Sequence, residues 1–408
     1  MMIMLWEPTS DNPAPGLPDC ANVPGPVNHD YGRPTDNSDR ARREVMTHEG
    51  VNEPLSTPLP SWNPAGWSEK SGPRDACPRF TLTFLTMLTH QPVLTAEVIK
   101  ALNLSADKNV IDATVGGGGH AQAILKVTSP NGQLLGLDVD RQALRIAAET
   151  LRPAFDQTRY KLIYDNYLNI DKYKYVFRPN KINAVLLDLG LSSIQLQAGD
   201  RGFSFQGEGA ALDMRFDAAD DSMPTAEEIV NTWPIGELAK IFRDYGEERL
   251  AGPIAEKIGA TRKKEHIKTT SQLAEIINSV YRAKLRSSKT IPWIGGKHPA
   301  TKTFQALRLA VNNELKRVAE VLPKAINVLA SGGRLAVISF HSLEDRIVKN
   351  FFRQAEKDCD CPPLAPVCRC EKRPLVRRVT KRAIKATTEE IAANPRARSA
   401  RLRVIEKI

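Results

Sequence analysis

The chain has 408 residues, 41% of them hydrophobic and 25% charged, with a formal net charge of +10. That length admits one large domain or two to three smaller ones, and the hydrophobic and charged fractions are ordinary for a soluble globular protein. The positive balance points to a polyanionic partner, nucleic acid above all. No apolar run approaches the ~18 residues of a membrane span, and six cysteines in so long a chain do not make a disulfide scaffold, so the expectation is a reducing cytoplasm with no membrane partner.

Residues 1–85 are rich in Pro, Gly, Asn, Asp and Ser without a sustained apolar period, which predicts a disordered extension. The opening "MMIMLWEPTSDNP" lacks the charged start and the apolar length of a signal peptide. Acids scattered from Glu7 to Glu44 argue against a transit peptide.

Order is expected from "HQPVLTAEVIKALNL", where Val93, Leu94, Val98, Ile99 and Leu102 recur at helical spacing. "KNVIDATVGGGGHAQAILKV" follows as a strand, a glycine turn and a helix. "GQLLGLDVD" reads as a second strand and "RQALRIAAETL" as its helix. "YKLIYDN" and the continuously apolar "INAVLLDLG" are the third and fourth strands. The alternation predicts a parallel α/β sheet. Residues 197–300 hold few strand-like runs; "TAEEIVNTWPIGELAKIFRDYG", "EERLAGPIAEKIGATRKK" and "TSQLAEIINSVYRAKL" read as successive amphipathic helices, hence an inserted helical domain. The α/β pattern resumes with one long helix, "TFQALRLAVNNELKRVAEVLPKAINVL", and the strand "GGRLAVISF". "LVRRVTKRAI" and "SARLRVIEKI" predict a closing antiparallel pair. The expected division is therefore 1–85, 86–196, 197–300 and 301–408.

The four glycines of "DATVGGGGH" ask for a backbone that something approaches closely. With Asp138 about 20 residues on, the layout is that of a nucleotide-binding βαβ unit. A Walker A loop needs Gly-Lys-Ser/Thr, which "GGGGHAQ" lacks. A dinucleotide dehydrogenase, binding NAD, remains open because Ala121 is an allowed third position. S-adenosylmethionine fits best: Asp112 precedes the glycines, and Asp188 ends the fourth strand where an acceptor would lie.

Nine strings in order, "HQPVL", "DATVGGGGH", "DLGLSSIQL", "RGFSF", "LDMRFD", "YGEER", "HPATKTFQALRLAVNNEL", "GGRLAVISFHSLEDRIVK" and "NPRARSARLRV", closely resemble the ribosomal RNA small subunit methyltransferase H family over about residues 90–408. The resemblance implies a class I S-adenosylmethionine-dependent methyltransferase core, Rossmann-like, interrupted by a helical substrate-recognition domain. It implies methylation of N4 of a 16S rRNA cytidine in the decoding centre of the small ribosomal subunit. By position, the cofactor contacts fall on Gly118, Gly119, His120, Asp138, Tyr167, Asp188 and Gln195. Tyr167 keeps the ring face of a Phe that would stack on adenine.

An ionised Asp138 can accept two ribose hydroxyls, and His120 either caps a helix or touches the methionine end. The cytosine amine is a poor nucleophile, so alignment and proton acceptance dominate; Asp188 is the first candidate acceptor. Ser192 and Ser193 either position the base or cap a helix. His341, Ser342, Glu344 and Asp345 are acceptor-side candidates on the same rim, with His341 grouped as catalytic. Lys297, His298, Lys302 and Arg308 are candidate phosphate contacts, and Arg262, Lys263, Lys264 and Lys268 a candidate RNA clamp. The tail adds Arg377, Arg378, Lys381, Arg382, Arg396, Arg398, Arg401 and Arg403. A flipped or single-stranded cytidine is expected. The oligomeric state stays open, a homodimer being one option, and a catalytically idle RNA-binding assembly factor on the same fold is the alternative function.

"CDCPPLAPVCRC" carries Cys359, Cys361, Cys368 and Cys370. Four thiolates can close a tetrahedral zinc site, although C-x-C is tighter than the usual C-x2-C; a reduced, metal-free loop is the other reading.

Overall fold

A computed structural model describes residues 92–192, 195, 201–205, 209–285, 298–361 and 370–408. The expectation of disorder for residues 1–85 lies outside these. Seven strands form one sheet: β1 (Val110–Asp112), β2 (Leu134–Asp138), β3 (Tyr160–Tyr164), β4 (Ala184–Asp188), β5 (Arg334–Ser339), β6 (Val376–Arg378) and β7 (Arg401–Lys407). Their order is β3-β2-β1-β4-β5-β7-β6. The first five run parallel, and β7 is antiparallel to both β5 and β6. This is the expected α/β, Rossmann-like arrangement, a parallel sheet closed by an antiparallel end. Leu134, Leu135 and Leu137 of β2 and Val185, Leu186 and Leu187 of β4 are fully buried, which is why these strands read as unbroken apolar runs.

Helices cover the sheet. The first three are α1 (Thr95–Leu102), α2 (Gly119–Val127) and α3 (Arg141–Leu151). Asp140 starts α3 by accepting the backbone N–H groups of Gln142 and Ala143. Val93 and Leu94 lie just before α1 rather than inside it, with Leu94 left-handed at φ 56°.

Among the described residues, four helices follow β4 before the rest of the core: α4 (Ala226–Thr232), α5 (Ile235–Asp244), α6 (Ala251–Arg262) and α7 (Thr270–Leu285). The stretch expected as one helix from Thr225 breaks at Trp233–Pro234, where Trp233 is extended. Proline ring sterics push the preceding residue out of the helical region and so divide α4 from α5. Leu238, Phe242, Ile254, Ile258, Leu273 and Ile277 bury a separate apolar centre. That centre also takes Phe304, Leu307 and Val311 from α8 (Thr301–Val311), so the helical unit packs past residue 300.

The long helix expected from Thr303 to Leu329 is also two, α8 and α9 (Glu314–Val328). Asn313 adopts φ 48°, ψ 34° between them, a conformation Asn tolerates better than most residues. The neighbouring Asn312 uses the break: its amide donates to Met214 O and accepts from Phe216 N, each at 2.8 Å. This fixes the chain that enters the helical unit against the second half of the core. The last helices are α10 (Ser342–Glu356) and α11 (Thr388–Ala393).

Candidate active site

β1 lies between β2 and β4, so the strand order reverses there. In an open parallel sheet the crevice at such a reversal, beyond the carboxyl ends of the strands, is where ligands bind. Four acids reach that rim: Asp112 closes β1, Asp138 closes β2, Asp188 closes β4, and Glu344 sits in the first turn of the helix after β5. Asp138, Asp188 and Glu344 line one cleft with Gly116, His120 and Tyr167.

The glycine loop serves two different demands. Gly116 has φ 51°, and its N–H donates to Asp138 Oδ2 at 2.8 Å. A Cβ there would meet only Thr114 O, at 3.9 Å, and Gly116 is part of the cleft wall. Gly118, at φ 85°, precedes the first turn of α2, and its Cβ would lie 3.1 Å from the Ala147 Cα in α3. Gly116 leaves room for a visitor, whereas Gly118 lets two helices approach.

Burial dominates the electrostatics. It pushes the carboxyl of Asp112 up to about 8, helped by Asp188 and Asp138, against a bond from Thr114 N–H. It raises Asp138 to about 6 despite the N–H groups of Asp140 and Gly116. It raises Asp188 to about 7, with Arg396 pulling the value down and Glu344 pushing it up. Asp112 Oδ2 and Asp188 Oδ1 are buried with no hydrogen-bond partner. Of the two, Asp188 lines the cleft; its unsatisfied carboxylate oxygen beside a bare backbone fits a ligand rich in donors and positive charge, as S-adenosylmethionine is, and fits a pyrophosphate poorly.

Of the residues singled out in the sequence, Gly119, His120, Asp138, Tyr167, Asp188, Ser192 and Gln195 all line this cleft. Tyr167 follows β3 at the start of a short 3-10 helix, and burial raises its phenol above the ordinary value. Ser192 and Gln195 bond reciprocally: Ser192 N–H to Gln195 Oε1 and Gln195 N–H to Ser192 Oγ, both at 3.1 Å. That is the capping arrangement. Gln195 Nε2 also donates to Asp140 Oδ2 at 3.3 Å. Ser193 lies outside the described residues.

Gly118 and His341 stand outside the cleft wall. His341 caps α10, and its Nε2 is 3.1 Å from Glu344 Oε1. Burial pushes Glu344 up, but His341 and Arg308 together hold its carboxyl below the ordinary value. His341 therefore touches the cleft through Glu344.

The basic residues divide differently from the expectation. Arg308 is buried and turned inward, its Nε and Nη2 donating to Glu314 Oε1 and Oε2 at 2.7 and 2.9 Å. It is therefore no phosphate contact, because desolvation is tolerable for a guanidinium only when so paired. Lys302 donates to Glu247 O and Arg262 to Val230 O. His298 stacks on Phe205 at 4.6 Å; Lys297 lies outside the described residues. In the tail, Arg401 and Arg403 both bind Asp345, Arg377 binds Glu406 and Arg378 binds Glu356. Lys263, Lys264, Lys268, Lys381 and Arg382 are exposed.

Arg396 is the residue whose place the sequence did not reveal. It was one cation among many in the tail, yet it lines the cleft, donates to Leu191 O and lowers the Asp188 carboxyl. Its one sequence signal was its place inside "NPRARSARLRV". Glu314 also lines the cleft.

The MraW methylase family matches residues 87–408. The ribosomal RNA small subunit methyltransferase H of Symbiobacterium thermophilum is 46% identical over 319 residues, 78% of this chain and 96% of that protein. The protein of the same description from Heliobacterium mobile is 44% identical over 320 residues, 78% of this chain and 99% of that one. A solved SAM-dependent O-methyltransferase from Thermotoga maritima overlays with a TM-score of 0.33 at 10% identity, covering 80% of this chain and 69% of that one.

Proposed function

The chain belongs to the MraW methylase family, and from that premise we propose that it methylates N4 of a cytidine in the decoding centre of the 16S RNA of the small ribosomal subunit. The coarser activity is S-adenosylmethionine-dependent methylation of ribosomal RNA. A dehydrogenase has no place in that family.

When bound, S-adenosylmethionine supplies a methyl group already activated by its sulfonium. The chain's own residues hold and align. Asp138 accepts one backbone N–H on each oxygen, from Gly116 and Asp140, and each oxygen keeps a lone pair for a ribose hydroxyl. The Tyr167 ring offers a face for adenine. Gly119, His120 and Gln195 border the remainder of the cleft. Gly118 supports the loop by packing on α3.

Asp188 is the proton acceptor in this reading. The cytosine amine gains nucleophilicity as its N–H is drawn to a carboxylate, and a base poised near neutrality does this best. Asp188 is so poised, at about 7, and its side chain is 18% exposed, which gives an accepted proton a way out to water. Ser192 borders the same space, and His341 orients Glu344 from behind. Exposed Lys263, Lys264 and Lys268 of the helical unit, with Lys381 and Arg382, suit backbone phosphates, and a flipped base would reach the cleft.

The observation that carries the proposal is the buried, unpartnered Asp188 Oδ1 at the strand-order reversal. The test incubates the protein with methyl-labelled S-adenosylmethionine and undermethylated small subunits, then maps the modified nucleotide. Label on one cytidine N4 is expected. Label on another base overturns the assignment, and cofactor binding without transfer favours the assembly-factor role.

A further inference from the structure

We propose that Cys359, Cys361 and Cys370 form a zinc-binding thiolate site that clips the connection between α10 and β6. Cys359 and Cys361 follow the end of α10 at Glu356, and Cys370 precedes β6 at Val376. The sulfurs of all three lie within 4.8 Å of one another, and Cys368, the fourth cysteine of the motif, lies outside the described residues. Those of Cys359 and Cys370 are 3.7 Å apart. Zinc held by thiolates at about 2.3 Å in a tetrahedron spaces its sulfurs about 3.8 Å apart. A disulfide would need about 2.05 Å, so this pair stands at ligand-to-ligand spacing.

The backbone around the sulfurs is arranged for negative charge. The Cys361 N–H points to Cys359 Sγ at 3.3 Å, and the Asp360 N–H to Cys370 Sγ at 3.4 Å. The loop is also closed without the metal. Lys372 Nζ reaches Asp360 Oδ2 at 2.7 Å and Gln354 O at 3.1 Å, which ties the returning chain to the end of α10. That closure holds the thiols together before an ion arrives. An all-sulfur set suits zinc and excludes calcium and magnesium, which take oxygen.

α10 has 15 residues, so at about 1.5 Å per residue its two ends are ~22 Å apart. Its N-terminal turn carries Glu344 on the cleft, and its other end carries the cysteines. The proposed ion therefore acts on the fold and touches neither cofactor nor RNA base. It would fasten edge strand β6 to the helix that presents Glu344.

The test is elemental analysis of the full chain, saturated with zinc under reducing conditions and then dialysed. About one zinc per chain is expected, and Cys359→Ser or Cys370→Ser should lower retained zinc at least roughly tenfold. Cys20→Ser and Cys77→Ser should retain it. In the wild type, Co2+ should give the intense visible bands of tetrahedral thiolate coordination, and zinc should protect Cys359, Cys361 and Cys370 from alkylation; both readings decide the matter even if the variants fail to fold. Zinc well below one per chain, retention in the Cys359 and Cys370 variants, or a Cys359–Cys370 disulfide in the freshly purified protein overturns the proposal.

Discussion

Nε2 of His120 stands 3.6 Å from Oδ2 of Asp188, bringing the first turn of α2 against the end of β4. The separation is beyond hydrogen-bond reach, so the imidazole borders the carboxylate without occupying its acceptor sites. Thr114 steadies the same corner by accepting the Asp188 backbone N–H at 2.6 Å. The side chain is thus fixed at its root while Oδ1 is left for an incoming donor.

Replacing Asp188 by Asn keeps the shape and removes the proton acceptor. Turnover on small-subunit RNA should fall by about 10²–10⁴, the usual contribution of general base catalysis. Cofactor affinity, followed by calorimetry, should move only a few-fold. An Asp188→Asn enzyme working at the wild-type rate would show that the proton leaves by another route.

The pH dependence carries a definite sign. The Asp188 carboxyl is raised to about 7, so it is protonated below that pH and ionised above it. The single-turnover rate should rise with pH through about 7 and then level. Arg396 holds the value down from where burial alone would put it. Arg396→Met should therefore move the rising limb to higher pH, and Asp188→Asn should abolish it. A limb that stayed in place in the Arg396 variant would mean another group titrates.

The strands and the glycine turn were legible because each rests on local chemistry: apolar runs for buried parallel strands, a glycine loop before a helix, an acid at a strand end. The break at Trp233–Pro234 was legible in principle, since proline constrains its predecessor. The break at Asn313 was not, because the left-handed turn is stabilised by Asn312 bonds to residues 214 and 216, about a hundred positions away. Arg396 is hidden for the same reason: a cation in sequence looks like surface charge until a distant carboxylate, Asp188, is folded against it. Arg308 lies only six positions before Glu314, and the two face each other because the chain turns at Asn313 between them. Pairing across the chain is set by topology, which spacing does not encode.

The Arg308–Glu314 pair illustrates the energetic side. Both side chains are nearly fully buried, 9% and 5% exposed, and joined by two hydrogen bonds. Arg308→Met should destabilise the protein by about 3–5 kcal/mol, because it leaves a carboxylate uncompensated. The double variant Arg308→Met with Glu314→Leu should recover most of that loss. Chemical denaturation of the three proteins checks this, and a double variant no better than the single one would show that the pair itself stabilises the fold.

Asp112 makes the opposite prediction. Its carboxyl is 1% exposed, Oδ2 has no partner, and burial raises it from 3.8 to about 8. Between those values the folded chain binds more protons than the unfolded one, so stability falls as pH rises through the interval. Above pH 8 the charged form opposes folding. Asp112→Asn removes that penalty, so without cofactor the variant should be the more stable protein at pH 9, by on the order of 1–3 kcal/mol. The gap should close as pH falls toward 5, where wild-type Asp112 is neutral in the folded state. Urea unfolding across pH 5–9 measures it, and a gap that widened toward acid would mean that Asp112 is stabilised as a carboxylate.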